Sequence, residues 1–328
     1  MDGPDPRPLI PVLTGPTAVG KTAVAAALGR LLPITVVSAD ARQVYRGLDI
    51  GTAKPDAALR AWLPHRGIDV VEPGERYSAG RFARDAAPWL AEIAAAERQP
   101  LVVGGTGLYI RALAGGLFRE PPLDAARRDR VRAWAQTVPA ATLAQWAGRL
   151  DPEFRGGGRQ RAARGVEMAL LTGRPLSWWQ HEAHDAGVMR PWYIQLTLPR
   201  DALHRRIAAR VDAMLAAGLV EEVRGVLGRG VPPDAPGLDA VGYREVVAML
   251  AGAVLPAALR DAIVRATRQY AKRQETWLRH QLRDEGRGTG DAWALDAAAD
   301  PGHLAQRIAE RWAAATRPAS PVPRPRPG

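Results

Sequence analysis

The stretch LTGPTAVGKTAV, residues 13–24, does most to limit what this chain can fold into. Gly15, Gly20, Lys21 and Thr22 fit the pattern G-x-x-x-x-G-K-[ST]. The pattern sits between a short apolar run, residues 9–13, and an Ala- and Leu-rich run, residues 22–32, so it reads as strand, loop and helix. Average composition makes a chance match in a chain of this length an event on the order of one per cent. In such a loop, formed here by Gly15, Pro16, Thr17, Ala18, Val19, Gly20, Lys21 and Thr22, glycines let backbone N–H groups turn inward and the helix start adds its dipole. Lys21 then supplies a point charge, and the Thr22 hydroxyl is a Mg²⁺ ligand candidate. The chemistry so defined is diphosphate binding, and nothing in it requires hydrolysis.

The rest of the chain supplies the sheet this motif belongs to. ITVVSAD, from Ile34, and PLVVGGTG, from Pro100, read as buried strands, with an Ala-rich helical segment over residues 80–98 between them. Strand alternating with helix implies a parallel sheet covered on both faces, which binds ligands beyond the carboxyl ends of its strands. Gly15, Asp40 and Thr106 all fall at such ends. At 328 residues the chain exceeds the ~150 typical of one domain, so an insertion is expected. The pattern changes near Arg119, where Arg127, Arg128, Arg130 and Arg132 crowd together and Pro and Gly punctuate helical pieces up to about Arg190. WYIQLTL, from Trp192, returns to the sheet. A helical segment follows over residues 200–227, with Leu203, Ile207, Val211 and Leu215 on one stripe, and a last long helix is expected over residues 257–282. The expected fold is α/β: a P-loop-type parallel sheet flanked by helices, with a catalytic core over residues 9–119 and 190–314. A mainly helical insertion occupies 120–189, and a disordered, Pro-rich basic tail occupies 315–328.

An ATPase motor or switch carries an apolar strand ending in Asp for its metal. Here PLVVGGTG ends in glycines and Thr106, and the strand with the acidic end, ITVVSAD, is followed by ARQVY. Asp40 therefore reads either as a carboxylate near Mg²⁺ or as a base facing an acceptor, and a small-molecule kinase or an RNA-binding ATP switch stays open on the residues alone. Gly104, Gly105 and Gly107 fit a dinucleotide fingerprint poorly and read as a simple Gly-rich turn. Lys and Arg number 45 against 34 Asp and Glu, a net charge of +11, which favours a polyanionic partner where the charge is clustered. It clusters on the expected long helix: Arg265, Arg268, Lys272, Arg279 and Arg283 recur at helical spacing while Ile263, Tyr270 and Trp277 recur on another face. The chain has no cysteine, which removes thiolate metal sites and cysteine nucleophiles, and His181 and His184 in WWQHEAHD lack zinc-site spacing. No window is long and apolar enough to span a bilayer and no leader pattern opens the chain, so a cytoplasmic enzyme without a membrane partner is the expectation.

Taken together, GPTAVGKT from Gly15, SADARQVYRGLDIGTAKP from Ser38, GGTGLYIRAL from Gly104, QRAARGVEMALLTGRPLS from Gln160, VGYREV from Val241 and TRQYAKRQETWLR from Thr267 resemble the tRNA dimethylallyltransferases, in family order over nearly the whole chain. The resemblance implies transfer of a dimethylallyl group from dimethylallyl diphosphate to N6 of the adenosine just 3′ of the anticodon (position 37) in tRNAs reading codons that begin with U. The products are N6-isopentenyladenosine and diphosphate. It implies Mg²⁺ as cofactor, held in part by Thr22, Asp40 as general base, Thr106 as a catalytic contact, and the loop as the seat of the leaving diphosphate. It further implies tRNA contacts, through the anticodon stem-loop, at Asp40, Ala41, Arg42, Gln43, Thr106, Arg128, Gln160, Arg161, Ala162, Ala163, Arg164, Val241, Gly242, Tyr243, Arg244, Lys272, Arg273, Gln274, Trp277 and Arg279. The target base has to leave its stack to react. No protein partner is implied, and a monomer is expected. The chain departs from the family before Gln160, where RGGGR, residues 155–159, replaces an Asn-Asp pair.

Overall fold

The computed structural model describes residues 5–183, 186–285 and 292–316. His184 and residues 317–328 of the expected tail lie outside the described residues, as does the side chain of Arg283. The chain divides into two compact units, Met1–Leu113 with Met189–Gly328, and Ala114–Val188.

The first unit is built on a six-stranded, all-parallel sheet in the order β3-β2-β4-β1-β5-β6. The strands are β1 (Leu9–Thr14), β2 (Ile34–Ser38), β3 (His65–Arg66), β4 (Gln99–Gly104), β5 (Arg190–Thr197) and β6 (Trp293–Asp296). β1 is almost wholly buried and β2 wholly so, which is why they read as continuous apolar runs and not as alternating ones. The chain leaves β1, skips a place to β2, and returns by β4 into the gap beside β1, so the order reverses there and opens a crevice at the carboxyl ends. Helix α1 (Lys21–Gly29) packs through Val24, Ala25 and Leu28 into a core that includes Ile194, Leu196, Ile308 and Trp312. α2 (Ala57–Trp62), α3 (Ala79–Ala95) and α4 (Gly107–Ala114) complete the first half.

After β5 the expected single helix over 200–227 is two, α9 (Arg200–Ala216) and α10 (Leu219–Gly228), because Gly218 takes a left-handed φ of 93° that ends one and starts the other. α11 (Tyr243–Leu250) was not expected as an element; α12 (Leu259–Glu285) is the expected long helix, but it is not the last. β6 and α13 (Pro301–Thr316) follow, and Leu304, Ile308 and Trp312 of α13, one turn apart, bury against α1.

The second unit holds α5 (Ala125–Thr137), α6 (Ala140–Leu150), α7 (Arg159–Thr172) and α8 (Leu176–Glu182), around a small core of Ala135, Leu143, Ala147, Ala162 and Val166. Among the described residues no helix is long and apolar enough to cross a membrane.

Candidate active site

The loop after β1 is shaped by space as much as by torsion. Gly15 has a φ of 144° and a Cβ there would lie 2.6 Å from the Leu196 carbonyl oxygen; Gly20 has a φ of 111°. Ala18 is also left-handed, at 64°. The first N–H to close onto the helix is that of Val24, on Gly20 O at 3.2 Å. Among the described residues the amides of Ala18, Gly20, Lys21, Thr22 and Ala23 have no acceptor, so the donors at this helix N-terminus are left for an anion. The Lys21 Nζ donates to Gly15 O and Pro16 O, each at 2.9 Å. Burial pushes its pKa down to about 8, with Asp40 opposing and Arg210 of α9 reinforcing the shift. Arg210 is itself pushed below its usual value by burial, with Asp40 opposing. Two partly buried cations and one carboxylate thus share the field over the loop.

Asp40 and Thr106 are brought together by backbone hydrogen bonds between the ends of β2 and β4. Ala39 N–H donates to Val103 O at 2.8 Å, Thr106 N–H to Ala39 O at 3.2 Å, and Ala41 N–H to Thr106 Oγ1 at 3.0 Å. One Asp40 oxygen accepts Arg42 N–H at 2.9 Å; the other has no protein donor among the described residues and is free to take a proton. Tyr270 of α12 is pushed up to about 12, by burial first and the Asp40 charge second. A small cavity beside Asp40 is lined by Lys21, Thr22, Asp40 and Gln43 and by the apolar Ala25, Val36, Leu63 and Val103. The exposed Thr22 hydroxyl and the Asp40 carboxylate are hard oxygen donors. No three His, Asp or Glu converge as a metal site among the described residues. That set fits Mg²⁺, which binds through one or two protein oxygens and completes its shell with phosphate and water.

The GGTG turn, expected to be a simple turn, is a set of close approaches. A Cβ on Gly104 would stand 2.1 Å from Ala39 O, one on Gly105 2.2 Å from Gln274 Nε2, and one on Gly107 2.2 Å from the Trp277 ring. Gln274, expected on tRNA, is 7 % exposed and spends its amide inside the protein, accepting Thr17 N–H at 2.8 Å and donating to Gly105 O at 2.9 Å. The outer face of α12 differs: Arg265, Arg268, Lys272, Arg273 and Arg279 are exposed, and among the described residues none pairs with a carboxylate.

Other expected RNA contacts are placed in several ways. Arg42 donates to Pro236 O at 3.0 Å, and Gln43 accepts from Ser38 Oγ at 2.9 Å. Val241 is partly buried and Gly242 buried, Arg244 is exposed beside Asp239, and Tyr243 is wholly buried. The Tyr243 hydroxyl donates to Glu222 at 2.5 Å and accepts Gly51 N–H at 3.0 Å; it braces the loop after Asp40 from below. In the second unit Gln160 and Arg161 are exposed, Ala162 is in the core and Ala163 packs against it. Arg128 and Arg164 clamp Glu167, at 3.0 and 2.5 Å, together with Arg132 at 2.9 Å, and both also reach Glu120. Burial pushes Glu167 up, but the three guanidiniums outweigh it and hold the carboxyl below its usual value.

Three groups at the site were not singled out by sequence. Arg210 follows the apolar stripe of α9 and reads as a solvated flank, and Tyr270 reads as a packing residue. His65, which lines the cavity and is pushed down by burial, stands in the two-residue strand β3. Only contacts from distant segments distinguish them.

The family model described as IPP transferase matches residues 43–281. A tRNA dimethylallyltransferase of Halorhodospira halophila is 47 % identical over 286 residues, 85 % of this chain and 92 % of that protein. One from Xanthomonas campestris pv. campestris is 42 % identical over 93 % of this chain and 94 % of its own length. The crystal structure of a tRNA isopentenylpyrophosphate transferase from Bacillus halodurans superposes with a TM-score of 0.66 at 32 % identity, covering 94 % of this chain and 96 % of that one.

Proposed function

The chain belongs to the IPP transferase family, and we propose that it acts as a tRNA dimethylallyltransferase. It moves a dimethylallyl group from its diphosphate to N6 of the adenosine 3′ of the anticodon in tRNAs reading codons that begin with U. The observation that carries the reading is the cavity beside the loop's free amides, lined both by Lys21, Thr22 and Asp40 and by the apolar Ala25, Val36, Leu63 and Val103. An allylic diphosphate has those two halves.

In the reaction the allylic C–O bond breaks, the diphosphate leaves with the electron pair, and the N6–C bond forms. Charge builds on the leaving oxygens, where the fixed amides, Lys21 and Arg210 stabilise it without reorganising. The adenine amino group conjugates with its ring and attacks weakly unless its proton is taken up. Asp40, with one carboxylate oxygen free of protein donors, is the base, and Thr106, tied to the Asp40 loop through Ala41, orients it. Mg²⁺, held by Thr22 with Asp40 nearby, supplies positive charge to the diphosphate when bound. The exposed cations of α12 meet RNA phosphate, as do Arg161 and the Arg128–Arg164 group on the second unit.

Asp40→Asn tests the assignment of the base. The variant should lose at least about 10²-fold in turnover while keeping its affinity for tRNA, measured by filter binding. Collapse of binding with turnover of bound RNA intact would make Asp40 a binding residue and place the base elsewhere.

A further inference from the structure

Gln274 stands on the inner face of α12, opposite the exposed cations, and joins two loops that are 88 residues apart in the chain (17 and 105). A carboxamide presents an acceptor and a donor on one rigid plane, so a single side chain can hold an N–H of one loop and a C=O of another. Here Oε1 takes the Thr17 N–H, in the middle of the phosphate-binding loop, and Nε2 gives to the Gly105 carbonyl, one residue before Thr106. The fit is tight on both sides of the turn: Gly105 has no room for a Cβ because of Gln274, nor Gly107 because of Trp277, one helical turn further along. Two successive turns of α12 are therefore seated on the backbone of GGTG.

Thr17 N–H is taken out of the anion's reach by this bond, while the amides of Ala18, Gly20, Lys21 and Thr22 keep no protein acceptor among the described residues. Without the carboxamide, the Thr17 amide and the Gly105 carbonyl, both partly buried, would lose their partner, and each would seek another within the loops or from water. The free amides of the loop would then no longer be held against the turn that carries Thr106.

The geometry points to Gln274 as a positioning residue for the diphosphate, one that sets the phosphate-binding loop in register with the Thr106 turn and does not itself contact RNA. It rests on the reading that this loop holds the donor's diphosphate. Through it, the helix that presents the RNA-facing cations also fixes the place of the leaving group.

Gln274→Met keeps the length and volume and removes both hydrogen bonds. Gln274→Glu keeps the acceptor for Thr17, loses the donor to Gly105 and adds a negative charge behind the loop. The full chain is titrated with inorganic diphosphate and Mg²⁺ by calorimetry and, separately, with an unmodified anticodon stem-loop RNA in the absence of diphosphate. KM for dimethylallyl diphosphate is measured in parallel. Two lost hydrogen bonds predict diphosphate binding weaker by roughly tenfold to a hundredfold in Gln274→Met, with KM following it and RNA affinity within about twofold of the parent. Gln274→Glu should bind diphosphate more weakly again. Weakened RNA binding with diphosphate binding intact would overturn the proposal, as would unchanged affinity for both. A parent protein that binds diphosphate but transfers no prenyl group would remove the activity and leave the positioning role standing. Should Gln274→Met fail to fold, judged by its far-UV spectrum, Gln274→Glu carries the same contrast.

Discussion

Gly104→Ala is expected to damage both the sheet and the catalytic pair, and the size of the effect follows from three distances. A Cβ at this position would lie 2.1 Å from Ala39 O, 2.5 Å from its carbonyl carbon and 2.9 Å from its Cα. Carbon and oxygen rest at about 3.3 Å, so the end of β2 has to withdraw by about 1 Å. Ala39 holds two bonds across that gap, its N–H to Val103 O at 2.8 Å and its O from Thr106 N–H at 3.2 Å, and a withdrawal of that size takes both out of range. Two hydrogen bonds at ~1 kcal/mol each and an overpacking cost of ~1–3 kcal/mol give about 3–5 kcal/mol. At a urea slope of about 3 kcal/mol/M this lowers the unfolding midpoint by roughly 1 to 1.7 M. Because Asp40 follows Ala39 and Thr106 holds Ala41, turnover should also fall by about 10²-fold, the usual cost of a 1 Å misplacement. Equilibrium unfolding in urea and steady-state kinetics with dimethylallyl diphosphate check both figures. A variant whose midpoint and turnover match the parent would refute the packing argument for this glycine.

Three other outcomes follow from the site. Lys21 titrates at about 8 in the folded chain against 10.5 when free, so between those values the unfolded chain binds more protons and this group's contribution to stability rises with pH. The charge the diphosphate needs is lost over the same window: kcat/KM for dimethylallyl diphosphate should fall above pH about 8, and a flat profile to pH about 9.5 would contradict the role of Lys21. Arg210 is a partly buried cation with no carboxylate at pairing distance among the described residues, so Arg210→Met should leave thermal stability unchanged or raise it while weakening inhibition by inorganic diphosphate roughly tenfold. Replacing Arg268 and Lys272 with glutamine should weaken tRNA binding and reduce its salt slope by about 0.7 to 0.9 for each lost phosphate contact; an unchanged slope would move the RNA path off α12.

The sheet and the phosphate-binding loop were legible in the sequence because both rest on local signals. Buried parallel strands show as continuous apolar runs, and the spacing of Gly15, Gly20, Lys21 and Thr22 defines its own turn. β3 and β6 are two and four residues long and carry too little pattern to read, and α13 was passed over although Leu304, Ile308 and Trp312 keep helical spacing. At the site the division is similar. Asp40 and Thr106 were found at strand ends by topology, whereas the reason for Gly104, Gly105 and Gly107 lies in Ala39, Gln274 and Trp277, which no local pattern connects to them. The motifs around Tyr243 and around Gln274 were each recognised as a unit and assigned to RNA as a unit. The structure separates its residues by face: Lys272 and Arg279 look outward, while Gln274 and Tyr243 are buried and tie loops together.

The most direct test of the account is the fate of the two halves of the donor. The purified chain is incubated with Mg²⁺ and an unmodified tRNA, once with dimethylallyl diphosphate and once with ATP labelled on its terminal phosphate, and the RNA is read by mass. The account predicts a five-carbon increment on the adenosine 3′ of the anticodon, one diphosphate released for each, and no label transferred from ATP. An RNA of unchanged mass, with phosphate passed from ATP to an acceptor, would contradict it.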